Sequence, residues 1–292
     1  MDPEAGDTGG LMAEKLTEAK ALACRRQLVE DGYTSVPGVM PADLLADLQG
    51  WSADVFDRFP VDPKFRYQGS DIHVSAPRNW AVGREPDGRS FPDPIVERVI
   101  DAPAQAAVCQ LLGLENLRAH DSVILLSKPP HGPPLYWHQD YMNWNSPAAA
   151  TPWPTRIFLS YYMTDTDRDN GCLRVIPGTH RRRIDLHDLL PDAHGPEIQA
   201  LEDFDHPAFC DRDDAVDVPL QAGDLVIADA RLMHGAWPNQ TDQRRTLVLA
   251  WHDVFDFPQP PSWWTEKIPD VVRNAEPGLA YEATRTPVRY PA

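Results

Sequence analysis

Leu135-Tyr136-Trp137-His138-Gln139-Asp140 is the stretch on which the reading of this chain turns. Its first four residues suit a β-strand. On a strand, residues i and i+2 point to the same face. His138 and Asp140 therefore aim at one point, and Gln139 faces away. A second histidine, His234, stands far downstream. His-x-Asp with a distant His is the ligand set of the 2-His-1-carboxylate facial triad, which holds non-haem Fe(II) and leaves positions open on the opposite side. Imidazole and carboxylate suit iron, whereas thiolate-rich sets suit zinc. Taken alone, His-x-Asp also fits a buried His hydrogen-bonded to its neighbour, and a lone His is more often structural.

Arg245 adds a guanidinium that can grip a carboxylate with two parallel hydrogen bonds. A hairpin through the polar turn 238–243 is expected to return Arg245 beside His234, with Arg244 on the opposite, solvated face. Together these residues point to an iron oxygenase that uses a 2-oxo acid.

Outward from the opening stretch, the second half of the chain reads as short strands near 122–127, 135–138, 156–163, 173–176, 217–220, 224–228 and 246–251. The first half reads differently. A helix is predicted over 11–30, a strand over 33–37, and a second helix from Pro41. In that helix Leu44, Leu48, Trp51 and Val55 recur at helical spacing. Residues 60–95 lack periodicity and read as a long loop or lid. Another helical pattern covers 94–112. The class expected is mainly β with flanking helices, built on a double-stranded β-helix (jelly-roll) core at about 118–255. An open α+β sheet is the alternative. Residues 1–10 read as a flexible tail and 11–292 as a single domain.

The 292 residues carry a formal net charge of -17, which argues against a nucleic-acid or anionic-membrane partner. A small neutral or cationic substrate fits that field better. Apolar runs are too short to span a bilayer and the amino terminus lacks a signal-peptide pattern, so a cytoplasmic protein is expected. Cys24, Cys109, Cys172 and Cys210 are scattered and read as free thiols. The run Arg181-Arg182-Arg183 reads as a solvated face. Monomer and homodimer both remain open, and Trp263-Trp264 is read as either a cover for the site or a dimer contact.

These residues resemble the phytanoyl-CoA dioxygenase-like (PhyH) family of Fe(II)/2-oxoglutarate oxygenases. The resemblance rests on Trp137-His138-Gln139-Asp140, the segment from Asn170 to His180, His234 with Arg245, and the opening from Asp31 to Val39. It implies that His138, Asp140 and His234 bind Fe(II) and that Arg245 holds the distal carboxylate of 2-oxoglutarate, with O2 as the other cosubstrate. The family often has Ser two residues after the distal His. Ala236 stands there, so Ser160 and Lys128 are the candidates for a further cosubstrate contact. Tyr141, Asn143 and Trp144 are candidate substrate contacts, and Trp153 could line the pocket mouth. His180 reads as part of a structural turn.

Hydroxylation of an unactivated C–H of a small molecule, with release of succinate and CO2, is the activity implied, and a secondary metabolite is the expected substrate. Asp140 argues against halogenation, because related halogenases have Gly or Ala there. Desaturation, epimerisation and cyclisation share the same iron chemistry and stay open. A non-catalytic metal-binding jelly roll is the reading from another class. A cupin-like metal site is disfavoured by the missing Gly-rich His-x-His motif.

Overall fold

The computed structural model describes residues 16–60, 69–75, 95, 98–99, 102–114, 117–140, 146–191, 195–276 and 290. Among these residues, ten strands fall into two antiparallel sheets. The strands are β1 (Tyr33–Val36), β2 (Asp71–Ser75), β3 (Arg118–Lys128), β4 (Leu135–His138), β5 (Arg156–Tyr162), β6 (Leu173–Val175), β7 (Val216–Val218), β8 (Leu225–Asp229), β9 (His234–Ala236) and β10 (Arg245–Asp253). The larger sheet runs β1-β8-β5-β10-β3-β2 and the smaller β4-β9-β6-β7. This is the jelly-roll arrangement expected from the strand-rich half. Among the described residues of the expected lid, 71–75 form β2 and pair with β3.

Strand alternation divides the larger sheet into two faces. Ile157, Leu159, Tyr161, Leu225, Ile227, Val248 and Ala250 join an outer core with three helices. Those helices are α1 (Glu18–Asp31), α2 (Ala42–Arg58) and α3 (Pro103–Leu111). On α2, Leu44, Leu48 and Val55 are buried as their spacing predicts, while Trp51 is half-buried. Phe158, Tyr162, Val226, Ala228 and Leu247 face the other way and meet Leu173, Val175 and Val218 of the smaller sheet. The functional side chains converge on this inner space.

Helix α1 ends on Gly32, whose φ of 91° is the left-handed conformation that glycine adopts without steric cost, and whose N–H caps Leu28 O. A Cβ there would come within 2.6 Å of His180 Nδ1 and 2.9 Å of Leu232 Cδ1, so α1 can seat against this turn only with glycine. His180 is buried with Nε2 donating to Val29 O (3.0 Å), and is structural as the turn reading implied. Burial pushes its imidazole down to about 3. Between pH 6.5 and that value the unfolded chain binds a proton that the folded chain refuses. Stability is therefore expected to fall as pH drops through this window, by about 1.4 kcal/mol per unit at most. Urea unfolding at pH 7 and pH 5 checks this, and a pH-independent free energy would refute it.

Two expectations about arginines need correction. Arg181 is not solvated: it is buried and its guanidinium donates to Val29 O (3.2 Å), while Arg182 and Arg183 are exposed. Arg244 is not simply solvated either. It donates to the buried Asp71 carboxylate (2.6 Å) and lies over the Phe56 ring. Both sites offered a buried acceptor in a distant part of the chain that local pattern cannot reveal. All four cysteines are free thiols. Among the described residues, no helix is long and apolar enough to cross a membrane.

Candidate metal centre

Strands β4 and β9 bring the triad together. They are antiparallel neighbours with His138 directly opposite His234. The imidazole centroids are 4.2 Å apart. Asp140 follows the end of β4 and places Oδ1 3.5 Å from His138 Nε2 and 3.9 Å from His234 Nε2. One ligand atom from each residue lies within 4.8 Å of the others. The geometry fits a single ion held by two imidazoles and one carboxylate.

Each imidazole is oriented by its own strand. His138 Nδ1 donates to Tyr136 O and His234 Nδ1 to Leu232 O, both at 2.9 Å. These bonds fix the tautomer and leave Nε2 as the metal-facing donor atom. The Phe158 ring packs tilted against the His234 ring with centroids 5.0 Å apart, and Trp251 Nε1 donates to Asp140 Oδ2 at 2.9 Å. Phe158 and Trp251 are partners across β5 and β10. Neither was singled out from the sequence, although the period of two along β10 (Arg245, Leu247, Leu249, Trp251) was there to be followed. Gln139, between two ligands, is buried and donates its amide to Arg231 O.

Outside the smaller sheet, directly behind the histidines, rings and guanidinia stack alternately. Arg174 lies over Trp137 (4.1 Å) and Trp237 (4.2 Å), and Arg168 covers the far face of Trp237 (3.9 Å). Trp137 Nε1 and Arg174 both donate to Cys210 O, and Trp237 Nε1 donates to Asp217. This stack clamps three short strands, two of which carry ligands.

Arg245 does not return by a hairpin. Its strand belongs to the larger sheet and β9 to the smaller, so the chain crosses between sheets after Ala236. The guanidinium is nonetheless on the inner face, where it is fully buried beside Tyr162 and Cys172. Its Nε has no hydrogen-bond partner, and among the described residues no carboxylate lies within ion-pair distance. Burial lowers its affinity for a proton, and among the described residues no anion meets this cation.

Lys128 is opposite Arg245 in the β3–β10 register. It is also fully buried, and burial together with the Arg245 charge pushes its ammonium well below the ordinary lysine range. Its Nζ donates to Pro133 O (2.8 Å) and Trp237 O (2.6 Å). Gly171, at φ 89°, lets this stem pass, since a Cβ there would meet Lys128 Cδ at 2.9 Å and Trp237 O at 2.7 Å. Ser160 is buried and alternates with Phe158 and Tyr162, so its hydroxyl shares the wall between the His234 end and the Arg245 end. Two positively chargeable groups and a hydroxyl, with no acid beside them among the described residues, make this wall suited to an anion.

The remaining sequence candidates divide. Tyr141, Asn143 and Trp144 lie outside the described residues. Trp153 is fully buried, packed 5.8 Å from Trp264, so it belongs to the outer core and not to a pocket mouth. Trp263 donates to Gly113 O (3.2 Å) and lies under Arg25. The tryptophan pair thus packs on the helical layer and does not cover the triad.

Curated relatives are distant. One is described as a probable alpha-ketoglutarate-dependent hypophosphite dioxygenase from Stutzerimonas stutzeri. It is 26% identical over 144 residues, covering 49% of this chain and 47% of that protein. An ectoine dioxygenase from Bordetella parapertussis is 24% identical over 205 residues, 66% of this chain and 63% of its own length. The matches therefore span about half to somewhat under two thirds of these relatives. Among solved structures, the epimerase SnoN in complex with Fe3+, alpha ketoglutarate and nogalamycin RO superposes with a TM-score of 0.58. It is 22% identical and covers 94% of this chain and 97% of its own, and the likeness establishes the fold. The family model for phytanoyl-CoA dioxygenase (PhyH) matches residues 28–247, and with that span, fold and triad the chain belongs to the PhyH family.

Proposed function

We propose that this protein is an Fe(II)/2-oxoglutarate-dependent dioxygenase. Its reaction is hydroxylation of an unactivated C–H bond of a small neutral or cationic molecule, a secondary metabolite by class. The observation that carries this reading is Arg245: a buried guanidinium that meets no acid among the described residues, on the wall that also bears Phe158 against His234. A dicarboxylate long enough to reach from metal to guanidinium would supply the missing anion. The donor set, imidazole with carboxylate and no thiolate, fits Fe(II).

Bound together, iron and 2-oxoglutarate would supply the oxidising chemistry: with O2 they yield succinate and CO2, and one oxygen atom enters the substrate C–H. The protein's own part is positional. His138, Asp140 and His234 hold the metal. Arg245 anchors the distal carboxylate, Ser160 donates its hydroxyl from the same wall, and Lys128 adds its remaining N–H beside Arg245. Tyr141, Asn143 and Trp144, following the ligand pair in sequence, contact the substrate. The buried inner wall keeps bulk water from the cosubstrate.

The test is anaerobic addition of Fe(II) and then 2-oxoglutarate, followed by the visible metal-to-ligand charge-transfer band. Wild type should develop the band. Arg245→Ala should need roughly 30-fold or more 2-oxoglutarate, since losing a buried charge-assisted pair costs about 2 kcal/mol or more. An iron-loaded, folded wild type without a band overturns the reading. With a substrate in hand, label from oxygen-18 gas in the product supports hydroxylation. Succinate release with unlabelled product points to desaturation, epimerisation or ring closure at the same site.

A further inference from the structure

Asp140 has two oxygens with different surroundings. Oδ1 faces both imidazole Nε2 atoms, at 3.5 and 3.9 Å. Oδ2 accepts the indole N–H of Trp251 at 2.9 Å. Trp251 is the last inner-face residue in the series Arg245, Leu247, Leu249, Trp251 along β10, and its ring is only half-buried. Trp137 and Trp263 direct their indole N–H groups to backbone carbonyls, and Trp237 directs its own to the Asp217 carboxylate. Trp251 directs its own to the carboxylate of a proposed metal ligand.

From this geometry we propose that Trp251 is a positioning residue that makes Asp140 a one-oxygen ligand. The inference rests on the proposed metal site. An unconstrained carboxylate can rotate and offer both oxygens to one ion. With Oδ2 engaged by the indole, only Oδ1 is presented on the side of the histidines. Three protein atoms would then hold the ion and leave room for a chelating 2-oxo acid and O2. The brace has a second arm: Phe158, the cross-strand partner of Trp251, packs its ring against His234. Two adjacent aromatics of the larger sheet thereby orient two ligands supplied by the smaller one. Such outer partners typically alter metal affinity or activity by about 10–100-fold when removed.

The experiment measures Mn(II) affinity from the free-ion electron paramagnetic resonance signal, without cosubstrate or turnover. Trp251→Phe should weaken binding by about tenfold or more with little change in melting temperature. Leu249→Ala, a packing loss two residues earlier on the same face, should leave the affinity near that of wild type. If Trp251→Phe does not fold, 3-benzothienylalanine at position 251 keeps the ring shape and deletes only the N–H. The same loss is expected there. Wild-type affinity in the folded variant overturns the positioning role and leaves the metal site standing. A wild type that binds no Mn(II) overturns both.

Discussion

Asp140→Ala is expected to fold normally and to lose both metal and 2-oxoglutarate consumption. The side chain sits just past β4, and the hydrogen bond it loses from Trp251 is worth about 1 kcal/mol. What disappears is the only carboxylate of the His-Asp-His group. Two neutral imidazoles would remain, held by Tyr136 O and Leu232 O, with no negative charge against a dication. Metal affinity should fall by more than about 100-fold, beyond the effect of an outer partner, and succinate release should be undetectable. The Mn(II) titration and a succinate assay measure the two losses separately. Consumption of 2-oxoglutarate at the wild-type rate would defeat the assignment of Asp140.

Arg231→Met should cost the most stability of any single substitution considered, roughly 3–5 kcal/mol. Arg231 and Asp229 are both buried, paired through Nε–Oδ1 (2.9 Å) and a second contact of 2.5 Å. Burial alone would push the Asp229 carboxyl up, yet the guanidinium outweighs it and holds the carboxyl below its usual range. The same guanidinium also gathers Ala148 O, Ala149 O, Thr151 O and Trp153 O at 2.9–3.2 Å. Methionine would leave a buried carboxylate and several carbonyls without their donor. Urea unfolding gives the loss. Asp229→Leu with Arg231→Met should recover part of it, because no charge is then stranded. A single-variant loss under about 1 kcal/mol would contradict this account.

Much of this architecture was legible because its residues follow local rules. Strand β4 was read at its observed limits, and β5, β6 and β8 within a residue or two, since each alternates or runs apolar between clear turns. Strand β9 was not read as a strand. His-Gly-Ala has no β-branched residue, and its pairing depends on β4 and β6 on either side. Strand β2 was hidden in a polar stretch because it pairs only with the long β3. At the candidate site, the grouping of His138, Asp140 and His234 was legible by residue type and spacing, and so was the choice of Arg245 as a candidate. Trp251, Phe158 and Gln139 were not, because their contacts join segments far apart in the chain. The expected hairpin at Arg245 failed for the same reason: a local turn cannot tell which of two sheets the next strand will join.

The stack of Trp137, Arg174, Trp237 and Arg168 stands behind the ligand strands, on the side away from the inner wall. Strands of three and four residues have few ladder bonds with which to hold two imidazoles in register. Their stiffness is therefore borrowed from the exterior. A substitution on the outer face, remote from any bound molecule, would therefore reach the histidines through the strands that carry them.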